Sequence, residues 1–185
     1  MASKIPGVED RVGQELLEGC RAGRMDAFER LYVQTGARMK SLAANLLGNV
    51  ADAEDAVQET FLKVCRGAGS FKGGSAVSTW AFRILLNTCY DTLRRRRRRP
   101  EETGAEILDL SPAPGADHPL RLSLERAVRS LPERERAVFL LVEVEGFSHR
   151  EASEVLEVPE ATSRTLLFSA RGRLKRSLSP MEGTA

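Results

Sequence analysis

Between Trp80 and Arg99 the chain reads WAFRILLNTCYDTLRRRRRR, and at about 100° per residue its side chains sort into two chemistries. Arg83, Asn87, Tyr90, Asp91 and Arg94 gather on one face with Trp80 at its margin, while Ala81, Phe82, Leu85, Leu86, Cys89 and Leu93 gather on the other. Guanidinium, amide, phenol and indole groups suit hydrogen bonding to base edges and stacking on unpaired bases better than they suit bond-making. Nucleic acid is therefore the first ligand class this face suggests. The same residues also describe a solvated helix whose cationic end complements its own dipole, so residue type alone leaves both readings open.

Two other groups of side chains carry chemistry. Asp55, Gln58 and Glu59 form an acidic, amide-bearing patch beside a buried stripe of Ala56, Val57, Thr60, Phe61, Val64 and Cys65. Ordinary solvation and favourable charge near a helix start explain such a patch as well as an interface does. Towards the C-terminus, a predicted helix from Glu160 to Leu178 turns Leu167, Ala170, Leu174 and Leu178 inward, leaving Ala161, Thr165 and Phe168 outward and Arg164 and Arg171 on the flanks. With the helix before it, this reads as a helix-turn-helix, whose second helix lies in a major groove, although generic helical hairpins imitate the pattern. No carboxylate cluster resembles a metal site and no nucleophile is paired with a base, so the sequence supports no enzyme and no cofactor. Cys20, Cys65 and Cys89 are odd in number, distant from one another and without CxxC spacing, which indicates neither zinc nor a disulfide framework. Cys65 and Cys89 lie on apolar faces and read as small buried hydrophobes.

The elements that must position these groups are helical. The 185 residues are 42% hydrophobic, 29% charged and 5% aromatic, enough for one or two small helical cores. No apolar run approaches the roughly 18 residues of a membrane span, and MASKIPGVEDR lacks the apolar core of a signal peptide, so a cytoplasmic protein without membrane insertion is expected. The net charge of +2 hides a segregation, with arginine concentrated at 94–99 and again near the C-terminus.

In chain order, Val12 to Cys20 is amphipathic, and Asp26 is placed to cap a helix bearing Phe28, Leu31 and Tyr32. Met39, Leu42, Ala43, Leu46 and Leu47 continue that spacing to a stop at Gly48-Asn49. Asp52 is a good cap for the helix of the acidic patch, and Gly67 to Ser78, with a lone Phe71 and Lys72, is a flexible loop ahead of Trp80. The stretch PEETGAEILDLSPAPGADHPL is proline-rich and acidic without a period, hence a linker. Ser123 reads as a cap for Leu124, Ala127, Val128 and Leu131. Pro132 opens a helix running to Gly146, Ser148 to Glu151 is a capping box, and Glu157-Val158-Pro159 is the turn.

Three blocks in fixed order, ADAEDAVQETFLKV, FKGGSAVSTWAFRILLNTCYDTLRRRRR and LPERERAVFLLVEVEGFSHREASEVLEVPEATSR, resemble the extracytoplasmic-function (ECF) group of bacterial sigma factors from about Gly13 to Leu178. The resemblance implies an all-α fold of two small helical domains. These are a region 2 bundle over 1–99 and a region 4 helix-turn-helix domain over 123–185 with a short C-terminal tail, joined by a flexible linker over 100–122. It also implies roles: Asp55, Gln58 and Glu59 match the patch that docks on the clamp helices of core RNA polymerase. The Phe71 to Ser78 loop, with Trp80 and Asn87, matches the part that captures an unstacked base of the minus-10 element. Arg83 and the run from Arg94 and Arg95 onward would grip phosphates, a sequence-blind and salt-sensitive contribution. Arg164, Thr165 and Phe168, flanked by Arg171, fall where the family reads the minus-35 element. Core polymerase, promoter DNA and an anti-sigma protein, which would hold the chain at the inner membrane, are the implied partners. The alternatives are a stand-alone helix-turn-helix regulator, which would footprint DNA without polymerase, and an RNA-binding protein using the arginine run.

The recognition helix departs from the family pattern GTVKSRLxRAR. Ser163 replaces an inward valine, and Leu166 and Ser169 replace two arginines, so a weaker, less guanine-dependent minus-35 contribution is expected, or else an apolar surface for an anti-sigma partner.

Overall fold

A computed structural model of the protein describes residues 8–98 and 119–178, and it divides into two compact units, Met1–Gly104 and Ala105–Ala185. Most of the proline-rich linker and the C-terminal tail expected from the sequence lie outside the described residues. Every regular element among the described residues is helical.

The first unit holds α1 (Val8–Arg21), α2 (Met25–Leu47), α3 (Val50–Gly67), a 3-10 turn at Ala68–Ser70 and α4 (Val77–Arg98). α2 packs on α1 and α3, and α4 closes on α2 and α3. The stripes read from the sequence converge here: Met39, Leu42, Leu46, Ala56, Val57, Phe61, Val64, Phe82, Leu85, Leu86 and Cys89 are all buried. Leu93 is only half-buried, and Tyr32, on the same side of its helix as Phe28 and Leu31, is 47% exposed with its ring lying 4.9 Å from that of Phe61.

The caps differ from expectation in an instructive way. Asp52 does not cap α3; Asn49 does, its side chain accepting from the Asp52 backbone N–H at 3.1 Å. Asp26 lies in the first turn of α2, whose N-cap is Arg24 without a side-chain bond. At the start of α3 Asn49 and Asp52 both fit the capping rule, and propensity alone does not separate them; α2 begins without a side-chain cap from Arg24, and Asp26 falls inside its first turn. Gly48 stops α2 as expected, in the left-handed conformation (φ 69°), with its N–H bonded to Ala44 O.

The second unit holds α5 (Pro119–Ser130), α6 (Glu133–Phe139) running into a π-helical turn at Leu140–Val144, α7 (His149–Leu156) and α8 (Glu160–Leu178). α5 begins at Pro119, ahead of Ser123, so the end of the stretch read as linker is helical; proline suits a first helical turn. Leu124 is 42% exposed, while Ala127, Val128 and Leu131 are buried as expected. Ser148 and Glu151 form the expected capping box, with both reciprocal bonds present. Glu157 takes a left-handed conformation (φ 53°) to turn the chain into α8, against which α5, α6 and α7 all pack.

Candidate nucleic-acid interface

α4 presents the chemical face as one strip. Trp80 and Arg83 are half-exposed, Asn87 and Arg94 exposed, and at 1.5 Å per residue Trp80 to Arg94 span about 21 Å. Phe71 comes back from the preceding loop to place its ring 5.3 Å from that of Trp80, and both rings keep partial exposure. Beside Phe71 lies a hollow of about 190 Å³ bounded by Leu17, Glu18 and Arg21 of α1 and by Lys72 and Gly73. The Arg21 guanidinium ties α1 to the loop through Gly69 O at 3.0 Å.

The arginine run is not uniform. Arg94, Arg95 and Arg98 line an open groove with Asp91 and Glu59; Arg94 is ion-paired with Asp91, and Arg95 reaches Thr92 Oγ1 at 3.1 Å. Arg96 turns the other way. Its guanidinium is ion-paired with Asp52 and donates to Leu47 O at 2.8 Å, bridging the end of α2 and the start of α3. Burial holds its pKa below the usual guanidinium value. The expectation that the whole run grips phosphates is therefore corrected for Arg96, which is a clamp between helices.

Asp55, Gln58 and Glu59 are all exposed on α3, as the patch requires. Two residues that the sequence reading passed over belong to the same surface. Leu62, one turn on from Gln58 and Glu59, is 52% exposed, and Lys63 pairs with Glu59 at 2.8 Å while donating to Thr88 Oγ1 on α4 at 3.0 Å. Their i+3 and i+4 spacing from Glu59 was a usable signal.

In the second unit, Arg164 and Thr165 are exposed and Phe168 is 82% exposed, so the outward face of α8 is as expected. Arg164 pairs with Glu160 at 2.5 Å. Arg171 donates through Nε to Glu143 Oε1 at 3.0 Å, on the flank rather than the open face. Ser163 is fully buried and its hydroxyl lies 3.1 Å from His149 Nδ1. Ser169 donates to Glu135 Oε1 at 3.0 Å, and Leu166 is half-buried. These two positions, where arginines were expected, thus lean against the protein more than away from it.

Cys20 and Cys65, distant in sequence, are neighbours in the fold, with burial and the adjacent Cys20 thiol pushing the Cys65 pKa up to about 11. Among the described residues no group of His, Cys, Asp and Glu is placed to hold a metal ion, and no helix is long and apolar enough to cross a membrane.

The Sigma-70 region 2 family matches residues 31–99, and the Sigma-70 region 4 family matches residues 121–174. Over 174 residues the chain is 34% identical to the ECF RNA polymerase sigma factor SigM of Mycobacterium tuberculosis, covering 93% of this chain and 87% of that one. The chain belongs to the ECF sigma factors. RNA polymerase sigma-H factor of Pseudomonas aeruginosa is 30% identical over 183 residues, 91% of this chain and 94% of that one. A solved structure of sigma factor RpoE in complex with the anti-sigma factor NepR, from Bartonella quintana, superposes with a TM-score of 0.71 at 25% identity. It covers 83% of this chain and 98% of that one. As an ECF sigma factor the protein binds core RNA polymerase and directs it to promoters for transcription initiation. The region 2 match contains the α3 patch and the α4 strip, and the region 4 match contains α6, α7 and most of α8.

Proposed function

We propose that this sigma factor docks on core polymerase through Asp55, Gln58 and Glu59, with Leu62 completing the patch. Phe71, Trp80, Arg83 and Asn87 hold an unstacked base and the melted strand of the minus-10 element, Arg94 and Arg95 grip its phosphates, and Arg164, Thr165, Phe168 and Arg171 meet the minus-35 duplex. The observation that carries this reading is the strip along α4, where Trp80, backed by the Phe71 ring from the preceding loop, lies in line with half-exposed Arg83, exposed Asn87 and exposed Arg94 over about 21 Å. Base stacking on such rings is worth about 1–3 kcal/mol per base, the same order as the cost of unstacking, so the strip is of the right size to help hold a bubble open. Arg171 uses Nε and Nη2 on Glu143, which leaves its Nη1 amino group for a phosphate.

Phosphodiester chemistry stays with the polymerase, and the protein acts in the cytoplasm as a non-enzymatic specificity subunit. An anti-sigma protein is its regulator in this reading, supported by kinship with RpoE, which was solved with NepR. The test is Asp55→Lys with Glu59→Lys. Both side chains are exposed, so helix content and melting temperature should stay near wild type while core binding is lost. Normal core affinity of the folded double variant would remove the patch from the interface.

A further inference from the structure

Two carboxylates grip α8 from opposite flanks. Glu135 of α6 is buried (8% exposed) and accepts from Ser169 Oγ at 3.0 Å, while Arg173 Nε lies 2.9 Å from its second oxygen, a charge contact rather than an aligned hydrogen bond. Glu143, on the π-helical turn that follows α6, takes Arg171. At 100° per residue Ser169 and Arg171 stand 200° apart around the α8 axis, so the two grips oppose any rotation of that helix in either sense. Between them, on the open side, lie Arg164, Thr165 and Phe168; on the closed side lie Ser163, Leu167, Ala170 and Leu174, all buried. The apolar contacts of so narrow a stripe constrain the azimuth weakly, because the hydrophobic effect has no direction, and that side adds a polar contact at its N-terminal end, Ser163 Oγ lying 3.1 Å from His149 Nδ1. Directional bonds to fixed carboxylates remove the remaining freedom.

We infer that Glu135 and Glu143 are positioning residues that set the rotation of the recognition helix and so decide which of its side chains meet the minus-35 bases. This rests on α8 being the minus-35 reader. It also gives Ser169 a role: a serine there is short enough to bond Glu135 from the flank, so the position serves the seat of the helix instead of the DNA.

The experiment uses the full chain as holoenzyme on a promoter library randomised across the minus-35 region, comparing wild type with Glu135→Ala, Glu135→Gln, Ser169→Ala and Glu143→Ala. A rotated helix offers different side chains to the groove. The expected result is a change in which bases are preferred, with the wild-type preference falling roughly fivefold or more at the affected positions, since a good base contact is worth about 1–3 kcal/mol of discrimination. Glu135→Gln keeps an acceptor for Ser169 and should retain more of the wild-type preferences than Glu135→Ala. Merely loosening the fold would weaken all sequences alike and leave the order of preference intact. Ser169→Ala removes one hydroxyl from a helix that tolerates alanine, so it reports even if Glu135→Ala does not fold. Unchanged base preferences in folded Ser169→Ala and Glu143→Ala would overturn the inference while leaving α8 as the reader. A wild-type holoenzyme indifferent to the minus-35 sequence would overturn both.

Discussion

Replacing Arg94, Arg95 and Arg98 together with Gln should change how the holoenzyme responds to salt, whereas Arg96→Gln should change how the protein melts. The first three line the open groove beside Asp91, and Arg96 is clamped to Asp52 and Leu47 O. Each phosphate neutralised contributes about 0.7 to the slope of log affinity against log salt on a single strand and about 0.9 on a duplex, so losing three flattens the slope by roughly 2–3. Between 50 and 200 mM salt, that difference means wild type should lose roughly 20–40-fold more affinity than the triple variant. Arg96→Gln removes a charged hydrogen bond and an ion pair that join three helices, worth about 2 kcal/mol, or roughly 8–16 °C in melting temperature for a unit of this size. Holoenzyme binding to a fixed promoter at several salt concentrations, beside thermal melts of the free protein, separates the two. An unchanged salt slope in the folded triple variant would refute the phosphate role of the strip's end. A normal melt for Arg96→Gln would refute the clamp.

Asn87→Ala should leave melting within about 0.5 kcal/mol, because the side chain is exposed, yet reduce discrimination among minus-10 sequences; equal loss at every promoter would make Asn87 structural. Leu85→Asp should unfold the first unit, since Leu85 is fully buried and an unpaired carboxylate there costs several kcal/mol; a cooperative near-UV melt at the wild-type temperature would contradict that packing. Burial pushes the Cys89 thiol up to about 12, and Cys65 stands at about 11, so at pH 8 only roughly one Cys65 in a thousand is thiolate. Alkylation at Cys65 in the native protein should rise about tenfold per pH unit from pH 8 to 10 and be slow throughout; labelling at pH 8 as fast as in denaturant would contradict a half-buried thiol paired with Cys20.

Helix phase was legible because period 3.6 is written in residues whose burial is enforced: every apolar position named on the middle of α4 is buried, and so is the α3 stripe except half-buried Cys65. The patch and strip residues needed only that phase to be placed on the surface. Caps were less legible, since Asn49 and Asp52 satisfy the same rule and only the folded first turn chooses between them. Long-range polar contacts left no local trace. Nothing near Arg96 announces Asp52, nothing near Ser169 announces Glu135, and Cys20 meets Cys65 only because α1 and α3 pack together. On α8 the flank facing Glu135 carries Ser169 and Arg173 in place of apolar side chains, so helical phase left position 169 unassigned and the family pattern alone suggested a DNA contact there.

Transcription in vitro from a promoter library, with core polymerase in the presence and absence of this protein, tests the central claim most directly. The account predicts protein-dependent initiation at a subset of promoters sharing minus-10 and minus-35 elements, with no footprint from the protein alone at those sites. A specific footprint without polymerase, together with no gain in initiation when core is present, would contradict it and favour a stand-alone helix-turn-helix regulator.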